Sequence, residues 1–193
     1  MDEFASIRKY ISNFLSFTEE EWLVHQKSLA RRWLKKGEHL LAEGQVCNHV
    51  SFINQGYFRC YNIVRNVDRT HHFAFEFEYI TDYCSFVTRK PSCDNIVAME
   101  DAEILQIDYD SMHAAFEQYP VWQKFGRLIA EYVFVLTAFR EQDLLFKTPE
   151  ELYLQLLHEK PSILKRVPLK YIASYLGITP EALSRIRNRL AKG

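Results

Sequence analysis

The spacing of apolar residues changes twice along the chain. Residues 1–35 have a helical pattern, and Thr18 stands three positions before Glu21, the spacing of a capping box at a helix start. From 37 to 108, short segments rich in aromatic and β-branched residues are separated by turn signals at intervals of about 8–12 residues, which is typical of a β-sandwich or barrel. From Asp110 onward the helical period returns.

The clearest strand pattern is HHFAFEFEY, residues 71–79. Successive side chains of a strand point to opposite faces of the sheet. We therefore expect one strand through the whole segment, with one face made of Phe73, Phe75, Phe77 and Tyr79.

A long helix is predicted from Pro120, because proline is favoured at the first position of a helix. Positions 122, 125, 129, 132, 136, 139, 143 and 146 form a stripe that is apolar except at Asp143, and further apolar residues cover other sides. A helix that is apolar nearly all round must be buried on several faces. A second copy of the chain would bury it, and the alternative is a central helix inside one larger core. The expected dimer contacts are Phe125, Ile129, Tyr132, Leu136 and Phe139.

Residues 167–190 carry the pattern of two short helices joined by a tight turn. Gly177 suits the left-handed position after a helix, and Thr179 followed by Pro180 suits the start of the next one. We expect helices at 168–176 and 180–191, arranged as a helix-turn-helix.

Charge is distributed unevenly. The 193 residues carry a net charge of −1, but from Pro161 onward seven basic residues face one acid, which gives +6 in this tail and −7 elsewhere. A basic tail favours an anionic partner such as nucleic acid. An ordinary helical hairpin is the alternative, but it does not explain a basic exposed face. The expected DNA contacts on the second helix are Thr179, Glu181, Ser184, Arg185, Asn188 and Lys192.

The chain resembles the Crp/Fnr family of bacterial transcription regulators over nearly its whole length. The resemblance is carried by the tail, by KTPEELYLQLL at 147–157 and by the segment 35–61, with its Gly37, Glu38, Leu40, Gly44, Phe52, Ile53, Gly56 and Arg59. It implies an α+β fold with three parts. These are an N-terminal β-roll (a jelly-roll, cyclic-nucleotide-binding-like domain with flanking helices) at 1–119, a dimerisation helix at 120–147, and a C-terminal helix-turn-helix of winged-helix type at 148–193. The implied protein is a cytoplasmic homodimer that binds double-stranded DNA and RNA polymerase.

The effector pocket departs from the family pattern. Members that bind cyclic AMP carry a Gly-Glu pair and, ten residues later, an arginine followed by a small polar residue; here the pairs are Thr81-Asp82 and Ser92-Cys93. Serine cannot make the charge-assisted bond that arginine makes to a phosphate. We therefore expect a pocket of Asp82, Ser92, Cys93 and Thr137 that cyclic AMP does not control, with an unidentified effector.

Two alternatives stay open at this point. One is a cyclic-nucleotide-responsive regulator with a divergent phosphate site, and the other is a ligand-sensing module that does not bind DNA.

Other functional classes find little support in the sequence. His71 and His72 would point to opposite faces of a strand, so we expect no metal site. Neither a nucleophile elbow, a P-loop nor a dinucleotide fingerprint occurs, and we expect no enzyme activity and no cofactor. Four cysteines without a C-x-x-C pair, no export signal and no apolar run of about 18 residues favour a reduced protein in the cytosol, without a membrane span.

Overall fold

The computed structural model describes residues 3–191. The chain forms two compact units: one contains the residues up to Cys60 together with Phe73–Glu131, and the other contains Tyr61–His72 together with the residues from Tyr132 onward. Within the described residues, no helix is both long enough and apolar enough to cross a membrane.

The elements follow the order that the sequence predicts, with helices at both ends and strands between them. They are α1 (Ala5–Ser12), α2 (Glu19–Lys27), β1 (Ala30–Leu34), β2 (His39–Leu41), β3 (His49–Gln55), β4 (Phe58–Val64), β5 (Val67–Ala74), β6 (Tyr79–Ile80), α3 (Tyr83–Thr88), β7 (Asn95–Ala98), β8 (Ala102–Asp108), α4 (Tyr109–Gln118), α5 (Pro120–Phe146), α6 (Pro149–Glu159), α7 (Ile163–Arg166), α8 (Leu169–Tyr175) and α9 (Pro180–Leu190).

The strands form two four-stranded sheets that make a β-roll. Their strand orders are β1-β8-β3-β6 and β2-β7-β4-β5. One apolar cluster, which includes Ile53, Phe58 and Ile104, fills the interior of the roll. A second cluster, which includes Phe52 and Leu105, lies on the other side of the first sheet against the helices. Neighbouring residues of β3 and β8 therefore belong to different clusters, as alternation along a strand requires.

The N-terminal segment is only partly helical, so the prediction of helix over residues 1–35 is wrong at its end. The capping box of α2 is present, with the Thr18 hydroxyl and the Glu21 carboxylate each accepting a backbone N–H of the other residue. Residues 30–34, however, form β1, which pairs antiparallel with β8. Leu34 is buried in the roll, while Trp33 on the opposite face is 57% exposed.

The predicted continuous strand at 71–79 is broken by a turn. Strand β5 ends at Ala74 and β6 begins at Tyr79. Between them, Phe77 takes a left-handed conformation, with φ 67°, and its N–H donates to the carbonyl of Ile53 in β3. This contact is tertiary, so the alternating sequence pattern carries no sign of the turn.

Gly56 is the tightest turn position of the roll. Its φ is +89°, and a Cβ placed there would lie 2.8 Å from the Ala102 Cβ. Gly44 has nearly the same backbone conformation, with φ +86°, but a Cβ there would meet nothing within 4 Å. Alanine variants at the two glycines can therefore separate the free energy cost of a left-handed backbone from that of a steric clash.

We expect Gly56→Ala to destabilise the protein more than Gly44→Ala in urea unfolding. The left-handed conformation costs about 1–2 kcal/mol in both variants. Overpacking against Ala102 adds about 1–3 kcal/mol in Gly56→Ala alone. Equal losses of unfolding free energy in the two variants would contradict the close approach of β8 to this turn.

Candidate nucleic-acid interface

The α8–α9 pair has the turn that the sequence predicts, and the ends of its helices lie within one residue of the predicted bounds. Gly177 ends α8 with φ 71°, and the N–H of Ile178 closes the turn by donating to the carbonyl of Ala173 at 3.0 Å. The Thr179 hydroxyl caps α9 by accepting the N–H of Ala182. Glycine tolerates the left-handed position without strain, which lets the chain reverse direction within a few residues.

The pair buries one side and exposes the other. Ile172 and Ala173 of α8 and Leu183 and Ile186 of α9 are buried. The predicted DNA contacts lie together on the exposed side, which comprises Thr179, Glu181, Ser184, Arg185 and Asn188. Lys192, the sixth predicted contact, lies outside the described residues.

The first turn of α9 carries an ionised acceptor beside a cation. A hydrogen bond from its own backbone N–H, another from the Thr179 hydroxyl and the nearby charge of Arg185 hold the pKa of Glu181 below its usual value. Near the other end of the helix, Arg189 forms an ion pair with Glu150 of α6. Arg185 is thus better placed than Arg189 to contact an external anion.

Two contacts that sequence reasoning missed hold α8 in place. The Arg140 guanidinium of α5 lies 3.9 Å from the centre of the Tyr175 ring and donates to the Tyr175 carbonyl at 2.8 Å. The Ser174 hydroxyl accepts the N–H of Thr70 at 2.9 Å and donates to the carbonyl of Asp68 at 3.2 Å. The hairpin formed by β4 and β5 thus holds the helix pair directly, and no sequence signal marks this long-range contact.

The apolar stripe of α5 divides into a buried part and an exposed part. Phe125 is 8% exposed and packs with Phe14 and Tyr79, so this part of the predicted interface is already covered within its own chain. Ile129 packs against the same cluster. The predicted contacts Tyr132, Leu136 and Phe139 are 47–58% exposed, and several neighbours are exposed as well: Phe134, Leu144, Leu145 and Phe146.

Two residues of the predicted effector pocket are engaged in local structure. The Asp82 carboxylate caps α3 by accepting the N–H of Ser85. The buried Ser92 hydroxyl accepts the N–H of Asp94 at 2.8 Å and donates to its carbonyl at 3.3 Å. Cys93 is exposed. Thr137 belongs to the other compact unit, where it lies exposed on α5 and donates to the Val133 carbonyl.

Arg89 does not replace the missing phosphate-binding arginine. Its guanidinium donates to the carbonyls of Cys47 and Phe86 at 2.9 and 3.1 Å and lies 4.2 Å from the centre of the Tyr109 ring. These contacts occupy the planar group that would otherwise grip a phosphate. Among residues 3–191, no group of three or more His, Cys, Asp and Glu side chains is arranged to hold a metal ion.

Comparison with known proteins identifies the fold. The family model for the cyclic nucleotide-binding domain matches residues 31–119. A comparison of the sequence with curated proteins finds no match.

Solved structures with the same architecture cover most of the chain. The c-di-GMP-responsive global regulator CLP of Xanthomonas campestris is 12% identical, with a TM-score of 0.70 over 91% of this chain and 92% of that one. FixK2 of Bradyrhizobium japonicum is 18% identical, with a TM-score of 0.69 over 85% of each chain. The catabolite activator protein of Thermus thermophilus is 20% identical, with a TM-score of 0.56 over 93% of this chain and 86% of that one. Residues 31–119 therefore match the cyclic nucleotide-binding domain, and the chain as a whole has the fold of Crp/Fnr-type regulators.

Proposed function

We propose that this protein is a homodimeric, sequence-specific DNA-binding transcription regulator of the Crp/Fnr type. The observation that carries the proposal is the exposed side of α9, where Ser184, Arg185 and Asn188 lie together while the apolar side is buried. Arginine and asparagine can each make bidentate hydrogen bonds to base edges in the major groove, and serine suits a phosphate.

Dimerisation would cover the exposed part of α5. An apolar surface of this kind on a soluble protein marks an interaction site more often than it marks a solvated face. A symmetric pair of α5 helices would bring two copies of α9 into one particle. Twofold proteins of this class read two half-sites about 34 Å apart, one turn of DNA.

Two continuous elements of the chain would transmit a conformational change from the β-roll to α9. Strand β4 and helix α5 each begin in the β-roll unit and end in the unit that contains α8 and α9. The hairpin bonds of Ser174 and the Arg140 contact with Tyr175 then connect both elements to α8. An effector would act by binding unequally to two arrangements of these elements.

Cyclic AMP is not the effector in this proposal. The buried Ser92 stands where a phosphate-binding arginine would be needed, and Arg89 is held by main-chain carbonyls. The related proposals are that the protein acts in the cytoplasm without enzyme activity and that RNA polymerase is its further partner. A ligand sensor without DNA binding is the rival function, and selection from a random DNA pool followed by a gel shift separates the two.

The first prediction concerns base reading. Arg185→Ala should relax base preference at one position of each half-site, by about 1–3 kcal/mol, because an arginine at this place pairs with guanine O6 and N7. Lys192→Ala should weaken all DNA sequences about equally and lower the salt slope by about 1. The measurement is titration of selected and scrambled sites at several salt concentrations. An Arg185→Ala variant that weakens every sequence alike, with base preference intact, would refute the assignment.

The second prediction concerns the oligomeric state. Replacing Tyr132 and Leu136 together by Glu should give a monomer by light scattering at micromolar concentration, because like charges would face each other across the paired helices. Gln142→Glu, which adds a charge at another exposed position of α5, is the control and should remain dimeric. A monomeric wild-type protein would contradict both the dimer and the paired half-sites.

The third prediction concerns the hairpin contact. Ser174→Ala removes the acceptor for the Thr70 N–H, so amide hydrogen exchange of residues 68–72 should become roughly fivefold faster, as expected for the loss of about 1 kcal/mol. Ser184→Ala, at an exposed serine of α9, should leave this exchange unchanged. Unchanged exchange in Ser174→Ala would show that the hairpin does not depend on α8.

The fourth prediction concerns cyclic AMP. Calorimetric titration of the full chain should show no micromolar binding, because no arginine replaces Ser92 in the pocket. Micromolar binding would contradict the proposal and restore the alternative of a cyclic-nucleotide-responsive regulator.

A further inference from the structure

A cavity of about 450 Å³ opens in the β-roll apart from the predicted effector pocket. Its walls come from β1, β2, β3, β6, β7 and the loop between β2 and β3. Thr81 belongs to this lining, but Asp82, Ser92, Cys93 and Thr137 do not. The volume lies within the range of about 300–1,000 Å³ that is usual for small-molecule sites.

The inner face of the first sheet changes from apolar to polar along its strands. Ile53 and Ile104 pair across β3 and β8 and belong to the apolar cluster inside the roll. Two residues before Ile53, Ser51 lies opposite Gln106 on the same face of the sheet. Arg32 of β1 pairs with Ile104 and therefore also faces inward. His49, two residues before Ser51 in β3, lies on the same face.

Two buried polar atoms at this end lack a hydrogen-bond partner. Ser51 lines the cavity and is 1% exposed, and within the described residues its hydroxyl makes no hydrogen bond. The same holds for the side-chain carbonyl of Gln106, which is 8% exposed. Buried polar groups are nearly always hydrogen-bonded, and each exception calls for an explanation. A ligand that brings polar groups to the cavity is such an explanation.

The charge of the lining selects the sign of that ligand. Arg32 is the charged member of the described lining, which contains no carboxylate. Burial lowers the pKa of His49; the nearby charge of Asp108 opposes this shift, and the charge of Arg32 adds to it. Arg32 pairs with Glu38 at 3.2 Å, and both side chains are about 40% exposed. Such a partly exposed ion pair contributes little, so a ligand anion can compete for the guanidinium.

The remaining wall is aliphatic, formed by Leu40, Leu41, Val46, Ile80 and Ile96. We propose that this cavity binds a small organic monocarboxylate with an apolar body, its carboxylate held by the Arg32 guanidinium and the Ser51 hydroxyl. A single guanidinium matches one negative charge, and the aliphatic wall matches the body of the ligand. This binding does not require the proposed DNA function; only its role as the effector rests on that function.

The test is calorimetric titration of the full chain with hexanoate, octanoate and decanoate, and with the alcohols of the same length. We expect saturable sub-millimolar binding of at least one carboxylate and binding of its alcohol that is roughly tenfold weaker or less. Equal binding of acid and alcohol would overturn the proposal, as would the absence of saturable binding by every carboxylate. Displacement of a bound carboxylate by cyclic AMP would assign the cavity to a phosphate ester and would also overturn it.

Two variants test the named groups. Ser51→Ala removes the buried unpaired hydroxyl without adding bulk to the cavity, so it should fold at least as stably as the wild type and yet bind the carboxylate roughly tenfold more weakly. Arg32→Gln should weaken binding of the carboxylate by a similar factor. Arg31→Gln, on the opposite face of the same strand, is the matched control and should bind normally. An unchanged dissociation constant in Ser51→Ala would remove Ser51 from the site and refute the proposal.

Methyl NMR locates the bound ligand. The Ile80 and Ile96 methyl signals should shift with saturation, because both side chains line the cavity. Ile7 and Ile11 belong to the other apolar cluster and should not shift. The reverse pattern would place the ligand under the N-terminal helices and overturn the assignment. Because binding and DNA affinity are measured separately, failure of one is distinguishable from failure of the other.

Discussion

The structure depends on one continuous helix that neither compact unit buries along its full length. The first part of α5 places Trp122 and Phe125 in the cluster beneath the β-roll. From Tyr132 onward the same helix belongs to the other unit and leaves large apolar side chains exposed. A continuous helix transmits position along its length, since each turn is fixed by backbone hydrogen bonds. The uncovered apolar part is what makes a second copy of the chain the natural partner in our proposal.

The helix pair at the C-terminus is positioned by polar contacts as much as by its core. The Arg140 guanidinium stacks on the Tyr175 ring and donates a hydrogen bond to the Tyr175 carbonyl. One cation therefore contacts both the side chain and the main chain at the end of α8. Ser174 accepts a backbone N–H of the hairpin and donates to a hairpin carbonyl. Directional bonds of this kind define one orientation, whereas apolar contacts alone tolerate several. A change in the conformation of the hairpin would therefore alter the position of α8.

The β-roll has the architecture of a cyclic nucleotide-binding domain, but two residues of the predicted effector pocket are engaged in local structure. At the position where the family resemblance implies a phosphate-binding arginine, the chain has the buried Ser92, whose hydroxyl bonds to the main chain of Asp94. At the same time, a polar end of the sheet interior combines Arg32 with the unpaired hydroxyl of Ser51. Buried polar atoms are costly unless they are hydrogen-bonded, and this cost is the reason that our proposal places a ligand beside them.

The sequence by itself determined the elements whose signals are local. The capping box at Thr18, the proline starts of α5 and α9, and the left-handed Gly177 all depend on residues within one turn of each other. Short-range hydrogen bonds and steric limits decide such positions, so the helix pair and its exposed face could be predicted. The sheet region was predictable as a class for the same reason, because turn residues and alternation are local too.

The tertiary structure decided everything that depends on a partner distant in the sequence. The turn at Phe77 forms because Ile53 of another strand accepts its N–H, and residues 30–34 become a strand because β8 is there to pair with them. Phe125 is covered by Phe14 and Tyr79, which the periodicity of α5 could not reveal. The cavity beside Ser51 likewise arises from the register of several strands. Register is fixed by which faces are buried together, and that choice is made only when the whole sheet assembles.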